Sequence, residues 1–177
     1  MPVDLKKFIR AVPDFPKKGI VFRDITPLLA YPLAFREAVD RMAEHVHGRT
    51  IDAVAAIEAR GFIFGAAVAY QLGVGFIPIR KKGKLPHRTR KETYELEYGT
   101  DTIEMHEDAL VEEQNVYLVD DLLATGGTMA ACSRLVEAAG ARVAAIAFVI
   151  ELSFLQGRDK LRGYDVLSLI DYDSEQA

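Results

Sequence analysis

The sequence predicts an α/β fold, a doubly wound, mainly parallel β-sheet flanked by helices. Apolar runs of the β type alternate along the chain with segments of helical periodicity, which is the pattern of a parallel sheet covered by helices. The chain has 177 residues, 50% of them hydrophobic, and this is enough to bury the core of one domain. Because no linker, internal repeat or low-complexity tract interrupts the sequence, we expect a single domain over 1–177.

The predicted elements follow in chain order. The stretch PDFPKKGIVFRDITPLL (13–29) contains prolines and a glycine that predict an irregular segment, and a helix is predicted after it at about 33–47. A core of alternating strands and helices is predicted over about 50–152. Its strands are expected at 54–57, 76–79, 116–119 and 143–150, and its helices at 62–72 and about 128–139. Gly73 and Gly140 follow these two helices, where a glycine commonly ends a helix.

Charge and targeting signals exclude several classes of protein. The formal net charge of −4 argues against a surface that neutralises a nucleic-acid backbone or an anionic membrane, although a local basic cluster lies at 80–84. The N-terminus lacks the layout of a signal peptide, and no apolar run is long enough to span a bilayer. The single Cys132 cannot form an internal disulfide and is expected to be a buried structural thiol. The sequence therefore predicts a soluble, cytoplasmic protein.

Three chemically loaded stretches follow predicted strands. They are EARG (58–61), RKKGK (80–84) and the aspartate pair at 120–121 with the loop after it. Each has a purely structural explanation when taken alone: a surface cation, a solvated turn or a capped loop. Ligands of such sheets bind beyond the carboxyl ends of the strands, where all three stretches are expected to meet. Their convergence predicts one binding site.

The loop ATGGT (124–128) before a predicted helix favours an anion. Its flexible backbone lets N–H groups converge on a phosphate, and the helix N-terminus adds positive potential. Ionised Asp120 and Asp121 would repel that phosphate, so they must face ligand hydroxyls or a divalent cation. A phosphate beside a vicinal diol describes a ribose 5-phosphate. The sequence lacks G-x-x-x-x-G-K-[ST], and GVGFIP (73–78) lacks the third glycine of a dinucleotide fingerprint.

At these residues the chain resembles a known family. VYLVDDLLATGGT (116–128) is similar to the phosphoribosyl pyrophosphate (PRPP) motif of type I phosphoribosyltransferases. That motif alone identifies only the superfamily. Together with PDFPKKGIVFRDITPLL, EARGFIFGAAVA, IRKKGKLP and YELEYG, it resembles the adenine-specific members from about residue 13 to residue 153.

The resemblance implies both an architecture and an activity. It implies a small N-terminal hood with a helix over 1–50, and a core over 51–177 that carries a flexible lid loop at about 83–99. The implied reaction of purine salvage transfers the phosphoribosyl group of PRPP to N9 of adenine, giving AMP and pyrophosphate. Mg²⁺ would be held mainly through PRPP with no direct protein ligand, and the implied assembly is a homodimer.

The resemblance also assigns the site residues by matching position. The ribose hydroxyls would bind Asp120 and Asp121. The 5′-phosphate would be bound by Ala124, Thr125, Gly126, Gly127 and Thr128. The pyrophosphate would be bound by Arg60, Arg80, Lys81 and Lys84. Adenine would be bound by Val21, Phe22 and Arg23 of the hood, with Leu122 on the other side of the base. The cations suit their task, because negative charge builds on the pyrophosphate as its bond to the ribose breaks.

The stretch GKLPHRTRKETYELEYG (83–99) supplies the implied lid. At its end, Tyr94, Leu96 and Tyr98 alternate with Glu95 and Glu97. This pattern fits an exposed hairpin arm with one half-buried face as well as it fits a lid. A reactive sugar cation must be shielded from water, so a mobile flap is chemically expected. In the family match, Tyr98 belongs to the lid and Glu97 would handle the proton of the purine as N9 attacks. The stretch is more basic than expected, which leaves open the roles of Arg88, Arg90 and Lys91.

Two alternatives come from other classes. A PRPP-sensing transcription regulator shares the aspartate motif, but 50 hood-like N-terminal residues leave little room for a DNA-binding domain. A transferase for guanine or xanthine would differ only in its base. The histidines add no zinc site, because His45 and His47 lie on different helix faces and His87 and His106 lack partners at ligand spacing.

Overall fold

The computed structural model describes residues 3–96 and 99–175, whose main feature is a seven-stranded sheet. Its strands are β3 (Ala53–Ile57), β4 (Gly75–Lys81), β5 (Thr89–Glu95), β6 (Thr100–His106), β7 (Asn115–Leu123), β8 (Arg142–Leu152) and β9 (Val166–Tyr172). They lie in the order β5-β6-β4-β3-β7-β8-β9. Strands β4, β3, β7, β8 and β9 pair in parallel, whereas β6 pairs antiparallel with β4 and β5. The predicted mainly parallel sheet is confirmed.

Helices cover both faces of this sheet. They are α1 (Thr26–Ala30), α2 (Pro32–His45), α3 (Arg60–Leu72) and α4 (Gly127–Ala138). Successive side chains of a strand point to opposite faces. In β7, Tyr117 and Val119 accordingly lie in the core beneath α1, α2 and α3, and Val116 and Leu118 lie in the core beneath α4. This is the doubly wound arrangement that the sequence predicts. Cys132 of α4 is buried, as expected, and burial raises the pKa of its thiol.

The N-terminal segment differs from its prediction. Strand β2 (Val21–Asp24) and the start of α1 lie within 13–29, where an irregular segment is expected, and β2 pairs antiparallel with β1 (Arg10–Pro13). Pro16 and Gly19 lie in the turn between the strands, where Gly19 has φ of 91° and donates its N–H to Asp14 Oδ1 at 2.8 Å. The hairpin is too short for a strand pattern to stand out from its turn.

Three other boundaries differ in ways that bear on the site. Strand β7 continues through Asp120 and Asp121, because β8 offers backbone partners as far as the pair Leu123 and Glu151. Helix α3 begins at Arg60, before the predicted 62. The core extends beyond 152 to β9, an edge strand whose sequence VLSLIDY mixes polar with apolar residues.

In the part of the chain that is described, no helix is both long and apolar enough to cross a membrane.

Candidate active site

A cavity of about 520 Å³ opens at the carboxyl ends of β3, β4 and β7. The three chemically loaded stretches of the sequence meet there, as expected for a parallel sheet. The lining residues are Ile57, Glu58, Ala59, Arg60, Lys81, Tyr94, Leu96, Asp101, Asp120, Asp121, Leu122, Ala124 and Thr128. Carboxylates, cations and hydroxyls therefore share one chamber.

The aspartate pair lies where β7 approaches the start of α3. Asp120 Oδ1 accepts the N–H of Asp121 at 2.8 Å, and Arg60 Nε lies 2.9 Å from Asp121 Oδ2. A Cβ on Gly61 would lie 2.7 Å from Asp120 Oδ1, so only glycine lets the helix come this close. Burial raises the pKa of both carboxyls; the charge of Asp121 raises that of Asp120 further, while Arg60 opposes the shift at Asp121. Two closely held acceptors result, suited to ligand hydroxyls.

The loop at 124–128 joins β7 to α4, with Gly126 as the residue that caps the helix. Gly126 has φ of 79°, and a Cβ there would lie 2.2 Å from the carbonyl oxygen of Gly157. The glycine is thus required by the protein's own backbone, in addition to the flexibility expected from the sequence. Thr128 donates its hydroxyl to Tyr94 Oη at 3.2 Å.

The carboxylate of Glu58 binds three residues of the basic segment at 80–84. Its Oε1 accepts the N–H of Lys81 at 2.8 Å, its Oε2 lies 2.8 Å from Lys84 Nζ, and Arg80 Nε lies 3.3 Å from Oε1. Burial alone would raise the pKa of Glu58, but hydrogen bonds from this segment hold it below its ordinary value. Of the four predicted pyrophosphate ligands, Arg60 and Lys81 are among the described lining residues; the other two are not. Sequence reasoning assigned Glu58 no role.

The predicted adenine residues do not all face the cavity. Leu122 lines it, and the ring of Phe22 lies 5.1 Å from the guanidinium carbon of Arg60. The buried side chain of Arg23 instead donates to the carbonyl oxygen of Glu175 at 2.8 Å and lies 4.0 Å over the ring of Tyr172.

The N–H of Val21 donates to the Glu175 carboxylate at 2.5 Å. The hairpin formed by β1 and β2 is thus held by the segment that follows β9. An arginine bound to a main-chain carbonyl leaves no signal in the sequence, so these contacts could not be anticipated.

The segment predicted as a lid, 83–99, contains β5, which pairs with β6 just beyond it. Tyr94 is 8% exposed and lines the cavity, and Glu92 accepts from Arg134 of α4 at 2.6 Å. These contacts match the hairpin arm with a half-buried face, and lid motion stays a prediction. Lys91 pairs with Glu104 at 3.3 Å. The predicted Glu97 and Tyr98 lie outside the described residues.

The chain is similar to known proteins along most of its length. The family model described as the phosphoribosyl transferase domain matches residues 28–175. The adenine phosphoribosyltransferase of Thermotoga maritima is 59% identical over 170 residues, covering 96% of this chain and 98% of the relative.

Two solved structures are similar along almost the whole chain. The crystal structure of adenine phosphoribosyltransferase from Thermoanaerobacter pseudethanolicus has a TM-score of 0.92 and 56% identity, covering 96% of this chain and 98% of its own. The Saccharomyces cerevisiae enzyme, complexed with D-2,5-dideoxy-2,5-imino-altritol 1,6-bisphosphate and adenine, has a TM-score of 0.89 and 42% identity, with coverage of 94% and 96%.

Proposed function

The chain belongs to the phosphoribosyl transferase domain family, and from this membership we propose that it transfers the phosphoribosyl group of PRPP to N9 of adenine. The products are AMP and pyrophosphate, as purine salvage requires. The observation that carries the proposal is the placement of Asp120 and Asp121 beside the loop at the start of α4. Ribose hydroxyls need such acceptors, and a 5′-phosphate needs the backbone donors of such a loop.

In the reaction, the bond from ribose C1 to pyrophosphate breaks, the bond from C1 to N9 forms, and N9 loses its proton. Arg60 and Lys81 line the cavity and stabilise the charge that develops on the leaving pyrophosphate. Arg80 and Lys84 lie on the same basic segment, where Glu58 orders them. To bind the pyrophosphate, Arg80 and Lys84 would give up their contacts with the Glu58 carboxylate and pair with the pyrophosphate oxygens instead.

The donor atoms also fit Mg²⁺ held mainly through PRPP. Mg²⁺ takes oxygen ligands and commonly binds through one or two carboxylates plus substrate phosphates. The carboxylates of Asp120 and Asp121 are assigned to the ribose hydroxyls, so the ion would be held mainly by the phosphate oxygens of PRPP. When bound, the ion would neutralise charge on the pyrophosphate.

The base enters between the hood and β7. Phe22 and Leu122 offer apolar surface for its two faces, and a hood carbonyl can accept from its 6-amino group. Glu97 would receive the N9 proton, as the family match implies. Arg23 contributes through the position of the hairpin, since its own side chain is bound to Glu175.

Product analysis tests the proposal directly. The protein is mixed with PRPP, Mg²⁺ and one nucleobase at a time, and the products are separated by chromatography. We expect AMP and pyrophosphate with adenine and no nucleotide with guanine or xanthine. A nucleotide formed only from an oxopurine would overturn the adenine specificity and keep the family chemistry. The homodimer is a further proposal, which sedimentation of the full chain tests.

A further inference from the structure

The turn at Gly157–Leu161 lies directly against the predicted phosphate loop. A Cβ on Gly157 would lie 2.1 Å from the carbonyl oxygen of Ala124 and 2.9 Å from the backbone nitrogen of Gly126. The Nζ of Lys160, on the same turn, lies 3.8 Å from where a Cβ of Gly127 would be. Backbone therefore packs on backbone, so a shift of the turn moves the loop.

The turn has little regularity of its own. It is a short 3-10 helix, a type of helix with poorer hydrogen-bond geometry than the α-helix, and Gln156 before it has φ of 55°. Such a segment needs contacts from elsewhere to hold one position. Leu161 supplies one of them, since it is buried in the core beneath α4.

Arg158 supplies the directional contacts. Its Nε donates to Glu151 Oε1 at 3.0 Å, and its Nη2 donates to Glu151 Oε2. It also donates to the carbonyl oxygen of Val166 at 2.9 Å and to Ser168 Oγ at 3.2 Å, both in β9. A two-pronged guanidinium and carboxylate pair fixes orientation as well as distance.

Glu151 connects this pair to the same part of the sheet. It is 6% exposed and lies in β8 directly across from Leu123, the residue before the phosphate loop. Neither Glu151 nor Arg158 is among the described residues that line the active-site cavity. If the pair affects the binding of a phosphate, it therefore does so indirectly, by fixing the position of the turn and, through the turn, of the loop.

We propose that Glu151 and Arg158 are positioning residues for the 5′-phosphate, because their pair holds the Gly157–Leu161 turn against the loop at 124–128. The loop presents its N–H groups in one arrangement only while the turn stays in place. The inference rests on the proposed function, which assigns the phosphate to that loop.

Binding measurements on the full chain test it. Calorimetry compares wild type with Arg158→Ala and Glu151→Gln, using ribose 5-phosphate, pyrophosphate and adenine as separate probes. We expect the Kd for ribose 5-phosphate to rise roughly 10- to 100-fold in both variants, the scale of loss from a small misplacement of binding groups. Affinities for pyrophosphate and adenine should stay unchanged. The double variant should lose no more than the worse single variant, because the two residues act as a unit.

Arg162→Ala is the matched control, since Arg162 lies just after the same turn but pairs only with exposed Asp159 among the described residues. Its ribose 5-phosphate affinity should equal that of wild type. Circular dichroism establishes folding, and Glu151→Gln, which keeps the side-chain shape, replaces Arg158→Ala if the latter does not fold. Unchanged ribose 5-phosphate affinity in a folded variant, or an equal loss for pyrophosphate, overturns the inference. A wild type that binds ribose 5-phosphate but makes no AMP refutes the proposed function alone.

Discussion

Thr128 of the proposed phosphate loop donates its hydroxyl to the phenol oxygen of Tyr94, 3.2 Å away in β5. Tyr94 in turn donates to Asp101 at 3.5 Å, and Asp101 pairs with Lys81. Residues from the predicted lid, the proposed phosphate loop and the proposed pyrophosphate segment thus share one network. A phosphate that takes the Thr128 hydroxyl must replace Tyr94.

Tyr94→Phe should tighten PRPP binding. The change keeps the buried ring but removes the acceptor that competes for Thr128, and one such hydrogen bond is worth about 1 kcal/mol, or roughly fivefold in Kd. Calorimetry with PRPP measures this change. Thr128→Val is the matched variant, which removes the donor and should weaken binding. Weaker PRPP binding by Tyr94→Phe would show that the phenol oxygen contacts the ligand directly.

Asp120→Asn should weaken the binding of PRPP and stabilise the fold. A neutral amide accepts ribose hydroxyls less strongly than a carboxylate, so PRPP affinity should fall roughly tenfold or more. The raised pKa of Asp120 means that its charged form is unfavourable in the fold. The amide should therefore raise the melting temperature at pH 8, where the carboxylate costs most. Calorimetry and thermal unfolding measure the two effects. A variant with wild-type PRPP affinity would remove Asp120 from the site.

Gly126→Val should destabilise the fold as well as obstruct the proposed phosphate site. A positive φ and a clash with Gly157 together cost about 2–4 kcal/mol. Urea unfolding gives the free energy. Gly127→Ala is the control, because its Cβ would have no neighbour nearer than 3.6 Å outside its own helix. Equal stability of the two variants would contradict the close approach of Gly126 and Gly157.

The pair of Glu151 and Arg158 should make stability depend on pH in the acid range. Arg158 lowers the pKa of Glu151 below its ordinary value of 4.5. A lowered folded pKa contributes stability above the unfolded pKa, and that stability is lost as the pH falls through the folded pKa. Glu151→Gln should thus cost about 1–2 kcal/mol at pH 7, discounted because Arg158 is partly exposed, and progressively less near pH 3. A difference from wild type that stays constant from pH 7 to pH 3 would count against this account.

Glu97→Gln should lower kcat by roughly 10² to 10⁴ with PRPP affinity nearly unchanged, since assistance from a general acid or base has that magnitude. Glu95→Gln is the control on the same segment and should do far less. Steady-state kinetics and PRPP titration separate the two quantities. Comparable losses in both variants would indicate that the segment acts through general charge. A loss confined to PRPP affinity would place Glu97 outside the chemistry.

The sequence predicts those parts of the site that lie at the carboxyl ends of the parallel strands. Arg60 follows β3, Lys81 ends β4 and Asp121 lies near the end of β7, and the topology of such a sheet brings them into one cavity. Contacts between segments that are distant in the sequence could not be predicted in this way. The approach of Gly126 to Gly157 leaves no local pattern, so the sequence indicated a flexible loop and missed the turn behind it.

Side-chain direction is equally hidden. Arg23 lies in the segment expected to cover the base, yet its guanidinium turns toward Tyr172 and Glu175. Strand β9 was missed because its alternation of serine and aspartate with apolar residues is weak at the edge of a sheet.

The link between the N-terminal hairpin and Glu175 has a consequence for the order of folding. Val21 and Glu175 are 154 residues apart in sequence, and both contacts of Glu175 with the hairpin span almost the whole chain. Synthesis proceeds from the N-terminus, so the hairpin leaves the ribosome first and waits longest for its partner. Contacts of such long range form late. A nascent chain can therefore form its sheet as far as β8 before the hairpin gains its contacts with Glu175.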